Sequence, residues 1–231
     1  MSGGVDSSVA AYLMKQFGPE ALVRMAHNMG IKCYLEPVHS LCVGSADVPV
    51  YQMVSAFNTF PSKGVFVEPQ FVLRIEDKNG RVLTNFASRK REAIGENTAY
   101  TMVQMMRGVV DGGTGSRIRR YITGGEIAGK TGTTNDNSDG WFIGYVPRLT
   151  VGVWVGAEDR QVHFRWTGQG QGASVALPIW AIMMKKVLDD PSINISIDDK
   201  FTKPAGYSMD CVTSGATEEY PSDLDNFIEE N

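Results

Sequence analysis

Apolar residues recur three or four positions apart in the first part of the chain, and this spacing predicts two helices. Pro19 opens the first, and Gly30, a natural C′ residue, ends it. The second helix is predicted to follow Asp47, which we expect to act as its N-cap, and to end by Pro61. Each helix would present one apolar face to a core.

Two longer helices are predicted further along. The segment from about Asn97 to Val110 carries a methionine-rich apolar face, which indicates core packing rather than a ligand site. A glycine-rich loop, Gly168–Gly172, precedes an apolar helix over residues 176–184. The loop lacks the Lys-Ser/Thr ending of a phosphate-binding P-loop, so we interpret it as a flexible connection that lets the last helix pack on a sheet.

Short segments rich in β-branched and aromatic residues predict strands between these helices. Residues 71–76 and 81–86 flank Asn79-Gly80, a strong hairpin signal. Later, residues 126–129 lead into Lys130, and residues 141–145 and 149–156 follow, each segment bounded by glycine or proline. This pattern predicts a three-strand meander with Lys130 on its first strand.

Composition limits the classes of function. The chain has 231 residues, 42% hydrophobic and 21% charged, which suits one globular domain. Its net charge of −4 gives no basic field for nucleic acid, and neither a signal peptide nor a membrane span is expected. The three cysteines, Cys33, Cys42 and Cys211, lack metal-ligand spacing. Cys33 and Cys42 either pair across a folded-back loop or remain two half-buried thiols.

The residue types in Lys130-Thr131-Gly132-Thr133 suit the binding of an anionic peptide end. An ammonium on a strand edge can hold a carboxylate, and the two threonine hydroxyls can donate hydrogen bonds to the same group. An exposed strand edge also lets an extended substrate pair as an additional strand, and Gly132 allows close approach to the backbone. The alternative is a polar hairpin end beside a solvated lysine.

In this setting the motif resembles the Lys-Thr-Gly of penicillin-binding proteins, whose full set is Ser-x-x-Lys, Ser-x-Asn and Lys-Thr-Gly. Residues 111–115, 139–144 and 152–156 extend the similarity to the transpeptidase domain of bifunctional class A members, and residues 11–30 look like the helix after their Ser-x-Asn. The resemblance implies an α/β (α+β) fold of the serine β-lactamase and transpeptidase type, truncated at the N-terminus, with helices on both faces of an antiparallel sheet.

The resemblance also implies a function: peptidoglycan D,D-transpeptidation. Substrates would be stem peptides and β-lactams, no cofactor would be needed, and the membrane-anchored parent protein would act at the periplasmic face of the bacterial inner membrane. Lys130, Thr131, Gly132 and Thr133 would form the carboxylate clamp, and the Thr133 N–H would be half of an oxyanion hole. Arg160, His163 and Arg165, which follow the last strand, would either line the cleft or form a solvated loop.

Two departures from the family pattern bear on catalysis. No Ser-x-x-Lys occurs in the chain, and the place that the family assigns to Ser-x-Asn holds Val5-Asp6-Ser7. We therefore expect a fragment without the nucleophile, inactive alone, that also lacks the family's glycosyltransferase domain. The expected division is an atypical Gly/Ser-rich segment over residues 1–7, a partial transpeptidase domain over 8–203, and an acidic, disordered tail over 204–231.

The N-terminus carries a second resemblance. Ser2-Gly3-Gly4-Val5-Asp6-Ser7-Ser8 is similar to the pyrophosphate loop of N-type ATP pyrophosphatases, and together with Val9-Ala10-Ala11 it is especially similar to the start of tRNA 2-thiouridylases. A glycine turn with serine hydroxyls at a helix N-terminus can present several donors to phosphate. The simpler interpretation is a helix N-cap at Asp6 or Ser7. An ATP-binding module is thus the alternative function.

Overall fold

The computed structural model describes residues 16–208. The helices that begin and end in this range are α1 (Pro19–Asn28), α2 (Val50–Asn58), α3 (Glu96–Asp111), α4 (Thr167–Gly170) and α5 (Gly172–Asp189). The strands are β1 (Val65–Val67), β2 (Arg74–Glu76), β3 (Val82–Asn85), β4 (Lys90–Glu92), β5 (Ala128–Thr133), β6 (Asp139–Val146) and β7 (Leu149–Gly156). Of the helices in the described range, none is long and apolar enough to cross a membrane.

The predicted meander is confirmed as an antiparallel sheet in the order β5-β6-β7. Its register places Lys130 opposite Ile143, and Gly132 opposite Trp141, which in turn faces Trp154 on β7. Two smaller antiparallel pairs, β1 with β4 and β2 with β3, complete the strand pairing in residues 16–208.

Helices cover both faces of this sheet, as the resemblance implied. On one face Phe142 packs edge to face on Trp180 of α5, with ring centroids 5.3 Å apart, and the Trp180 indole N–H donates to the Gly144 carbonyl at 3.2 Å. On the other face Tyr145 packs with Val103 and Met106 of α3. Alternate residues of β6 therefore enter two different cores, because successive strand side chains point to opposite faces.

The helix predictions hold, with one error at a cap. Helix α1 begins at Pro19, and Gly30 follows its end with a φ of 101°, which favours glycine. Helix α2 begins at Val50, so Pro49 occupies the N-cap position and Asp47 lies two residues too early to cap it. The Asp47 carboxylate instead pairs with the Arg160 guanidinium, from the loop after β7.

The hairpin and the thiols follow the sequence analysis. Strands β2 and β3 pair around a turn in which Asp77 Oδ1 accepts the N–H groups of Asn79 and Arg81, at 2.8 and 3.0 Å. Both strands are shorter than predicted. Cys33 and Cys42 are separate, half-buried thiols rather than a disulfide, and Cys211 lies outside the described residues.

The methionine-rich helix is core-facing, as predicted: Val103 and Met106 are buried along α3 together with Ala99 and Val110. The glycine-rich loop is not the flexible connection that we predicted. Gly172 is the first residue of α5, and a Cβ there would lie within 3.0 Å of backbone oxygens of both β5 and β6. Glycine is required at this point because the helix start lies directly against the sheet.

Candidate functional site

Strand β5 is an edge strand, and no other strand of the described residues pairs with its outer side. It carries the whole predicted motif on its last four positions. Strand alternation places Lys130 and Gly132 toward one face and the hydroxyl-bearing Thr131 and Thr133 toward the other. The motif is thus brought together along one edge, with the two hydroxyls on a common face.

The Lys130 ammonium lies along the open edge of this strand. Its Nζ donates to the carbonyl oxygen of the next residue, Thr131, at 2.8 Å, and the side chain is exposed. No carboxylate of residues 16–208 forms an ion pair with it. The charge is therefore available to an anionic ligand that approaches the strand edge.

The Thr133 hydroxyl is oriented by the start of helix α5. The backbone N–H of Gly172 donates to Thr133 Oγ1 at 3.2 Å. Because an amide N–H can only donate, the hydroxyl oxygen is the acceptor and its own proton remains free for another partner. The N-terminus of an 18-residue helix also carries partial positive charge, which favours an anion near this hydroxyl.

The Thr131 hydroxyl has a partner that sequence reasoning missed. Thr131 Oγ1 lies 2.8 Å from Thr114 Oγ1, and either oxygen can donate. Thr114 belongs to the loop after α3, which the sequence analysis used only as part of a family resemblance. Its sequence signal is the Gly-Gly-Thr-Gly run of residues 112–115, where the glycines let the loop turn sharply beside the helix end.

Gly132 separates the two threonines, and its environment within the sheet is tight. A Cβ at this position would lie 3.1 Å from the Trp141 Cβ on β6. The Trp141 indole N–H donates to the buried carboxylate of Asp139 at 3.1 Å, which fixes the ring. Contact with Trp141 is thus a structural reason for glycine here, in addition to the predicted access for a ligand.

The other candidate residues lie in the loop after β7 or outside the described range. Arg160, His163 and Arg165 are in an exposed loop, where Arg160 pairs with Asp47 and the His163 ring lies 3.2 Å from a backbone carbonyl. The predicted phosphate-loop residues, Ser2, Gly3, Gly4, Asp6 and Ser7, lie outside the described residues. Within residues 16–208, no group of three or more His, Cys, Asp or Glu side chains is placed to hold a metal.

The letters Ser-x-Asn occur once in the chain, at Ser192–Asn194, but far from the motif. That tripeptide follows the C-terminal end of α5, whereas Thr133 contacts the N-terminal end of the same helix. Eighteen helical residues span about 27 Å at ~1.5 Å per residue. Ser192 also bonds the Asp190 carboxylate through both its N–H and its hydroxyl, so it forms a local turn.

Comparisons with a family profile, with curated proteins and with solved structures agree on one family. Residues 38–184 match the profile of the penicillin binding protein transpeptidase domain. Penicillin-binding protein 1A of Aquifex aeolicus is 33% identical over 181 residues, which cover 78% of this chain and 24% of that protein. Penicillin-binding protein 2D of Bacillus subtilis is 32% identical over 178 residues, 74% of this chain and 25% of that protein. The chain thus spans about a quarter of these curated relatives.

Solved structures share the fold. The chain matches penicillin-binding protein 1A from Haemophilus influenzae with a TM-score of 0.75 at 22% identity, over 86% of this chain and 34% of that one. It matches PonA1 from Mycobacterium tuberculosis, in complex with penicillin V, with a TM-score of 0.71 at 25% identity, over 85% of this chain and 56% of that one.

Proposed function

Because the chain belongs to the penicillin-binding protein transpeptidase family, we propose that the edge of β5 binds the terminal carboxylate of peptidoglycan stem peptides and of β-lactams during D,D-transpeptidation. The observation that carries this proposal is the orientation of the Thr133 hydroxyl. Its oxygen accepts the Gly172 N–H, so its proton is free for a carboxylate oxygen. The Thr131 hydroxyl lies on the same face of the strand, two residues away.

Electrostatics supports an anionic ligand at this place. The Lys130 ammonium and the N-terminus of α5 both contribute positive potential, and no carboxylate of the described residues neutralises the lysine. A substrate that pairs with the open edge of β5 would bring its C-terminal carboxylate beside these groups. Hydrogen bonds from neutral hydroxyls to a carboxylate are stronger than those between neutral partners.

In the proposed reaction a serine oxygen attacks the carbonyl carbon between the two terminal D-alanines, and the terminal D-alanine leaves. The amine of a second stem peptide then displaces the serine and forms the crosslink. The sequence holds no Ser-x-x-Lys, so our proposal for this chain is limited to the carboxylate clamp and to the Thr133 N–H as half of the oxyanion hole. We place the activity at the outer face of the bacterial inner membrane.

Binding of N-acetyl-D-alanyl-D-alanine and of its C-terminal carboxamide tests the proposal. Both would be titrated into the isotope-labelled chain while the backbone amides of Thr131 and Thr133 are followed by NMR. We expect the acid to bind more tightly than the amide. Thr133→Val should lower the ratio of acid to amide affinity roughly tenfold, which is the lower end of the effect of one hydrogen bond to a charged group. Thr133→Ser should retain the preference, and Thr123→Val, an exposed threonine outside the strand, should not change it.

Equal affinity of the wild-type chain for acid and amide would contradict the carboxylate clamp. Shifts that spread over the protein rather than along β5 would contradict its location. The ATP-binding alternative depends on residues 2–7, outside the described range, and stays a prediction.

A further inference from the structure

We infer that Thr114 is a positioning residue, which orients the Thr131 hydroxyl so that its proton points toward the ligand carboxylate. This inference rests on the proposed function of β5. The two hydroxyl oxygens are 2.8 Å apart, yet the residues come from different elements and lie 17 positions apart in the chain. Thr114 is joined to the site through its bond to Thr131, so we expect its effect to be indirect.

The loop that carries Thr114 is held firmly against the end of α3. The Gly113 N–H donates to the carbonyls of Gly108 and Val109 at 3.1 Å, and the Gly115 N–H donates to the Val109 carbonyl at 2.9 Å. A Cβ on Gly113 would lie 2.9 Å from the Val109 Cα. Both neighbours of Thr114 are therefore held by the helix backbone, which restricts the movement of the threonine between them.

Arg119, which follows the Thr114 loop in the chain, bonds groups on both sides of that loop. Its guanidinium pairs with the Asp111 carboxylate at 2.6 Å, at the end of α3, and donates to the carbonyls of Gly124 and Gly125 in the turn before β5. Ile118 beside it is fully buried in the core. Arg119 thereby connects the helix end, the Thr114 loop and the approach to β5, because a guanidinium offers several donors in fixed directions.

The proton arrangement of the two hydroxyls explains why this placement matters. Two hydroxyls in contact share one proton between their oxygens and leave the other proton pointing away. When Thr114 donates, the Thr131 oxygen is the acceptor, and the Thr131 proton is free for a carboxylate. When Thr131 donates to Thr114, it presents only lone pairs, which repel an anion. A bound carboxylate selects the first arrangement, and Thr114 makes that arrangement available at a fixed distance.

The Thr133 hydroxyl also accepts a hydrogen bond from a neighbouring element, but the direction of this bond cannot reverse. There the donor is a backbone N–H, so the hydroxyl oxygen can only be the acceptor of this bond. The two ligand-facing hydroxyls of β5 would therefore each be held by a donor from a neighbouring element: α5 for Thr133 and the loop after α3 for Thr131.

The test uses N-acetyl-D-alanyl-D-alanine, its carboxamide and five variants of the chain. We expect Thr114→Val to lower the acid-over-amide preference about fivefold, the usual factor for one hydrogen bond, with amide affinity and melting temperature unchanged. Thr114→Ser keeps the hydroxyl and should keep the preference. In a Thr131→Val background, Thr114→Val should have no further effect, because it acts through Thr131. Thr123→Val is the matched exposed control.

An acid-over-amide preference as large in Thr114→Val as in the wild type would overturn the inference and leave the proposed function intact. The inference would also be overturned if Thr114→Ser lost as much of this preference as Thr114→Val, or if Thr114→Val lowered the preference further in the Thr131→Val background. A wild-type chain that does not distinguish acid from amide would overturn the proposed function, and the inference with it.

Discussion

Gly172→Ala is the substitution for which the structure makes the strongest stability prediction. Gly172 is the first residue of α5, where the helix meets the ends of β5 and β6. An added Cβ would lie within 3.0 Å of the carbonyl oxygens of Trp141 and Gly132. Both obstructing atoms belong to the backbone, so no side-chain rotation can relieve the contact.

Two effects of opposite sign determine the magnitude. Alanine normally stabilises a helical position relative to glycine, by roughly 0.5–1 kcal/mol. The clash is larger: the new methyl would be roughly 1 Å inside the usual contact distance of two oxygens, and overpacking of this kind costs about 1–3 kcal/mol. We expect a net destabilisation of about 1–2 kcal/mol, or a melting temperature lowered by roughly 2–8 °C for a domain of this size.

The measurement is thermal unfolding followed by circular dichroism, with Gly168→Ala as the matched control. Gly168 lies in α4, four residues earlier in the same glycine-rich segment, but a Cβ there meets nothing within 4 Å. The control should therefore unfold at or slightly above the wild-type temperature. If Gly172→Ala proved as stable as Gly168→Ala, the close contact between α5 and the sheet would be wrong. The orientation of Thr133 derived from that contact would then be wrong as well.

Gly108→Ala should raise the melting temperature by about 1–4 °C, because this exposed glycine in the last turn of α3 has open space for a methyl group. The hydrogen bond and charge of Lys32 lower the pKa of Glu68, so Lys32→Met should raise that pKa in a carbon-detected NMR titration. The stability that the Lys32–Glu68 pair contributes is present above the pKa of Glu68 in the unfolded chain. It is lost as the pH falls through the lower pKa of Glu68 in the folded protein. Burial raises the pKa of Tyr145 well above its usual range, so its contribution to stability should be full below the unfolded pKa of ~10 and be lost as pH rises toward the folded one. Absorbance at alkaline pH, compared with Tyr145→Phe, should show its phenolate only as the protein unfolds. Lys130→Met should weaken acid binding only about two- to fivefold and reduce its salt dependence, because an exposed charge is screened by water.

Local patterns were sufficient to predict most elements of the fold. The meander, the hairpin and α3 each carry a strong signal in consecutive residues, such as Asn79-Gly80 at the hairpin turn or the β-branched run of β7. The position of Lys130 at an exposed strand edge followed from the same patterns. Interactions between neighbours in the chain account for these successes, since they need no knowledge of what packs against the segment.

Contacts between distant segments could not be predicted in this way. Asp47 looked like a helix cap, but its partner Arg160 lies 113 residues later. Gly172 looked like part of a flexible loop, because the backbone oxygens that exclude a side chain come from β5 and β6. The bond between Thr114 and Thr131 was missed for the same reason: nothing in either local sequence specifies the other.

Alternation along β5 changes how the Lys-Thr-Gly motif can work. The sequence motif suggests that the ammonium and both hydroxyls bind one anion, yet Lys130 and the threonines begin on opposite faces of the strand. They can meet only at the open edge, where Lys130 Nζ already lies beside the Thr131 carbonyl. A ligand carboxylate at that edge would take its directional hydrogen bonds from Thr131 and Thr133 and its charge from Lys130. The hydroxyls would therefore determine the position of the ligand, and for this reason the donors behind them, the Gly172 N–H and the Thr114 hydroxyl, matter as much as the motif itself.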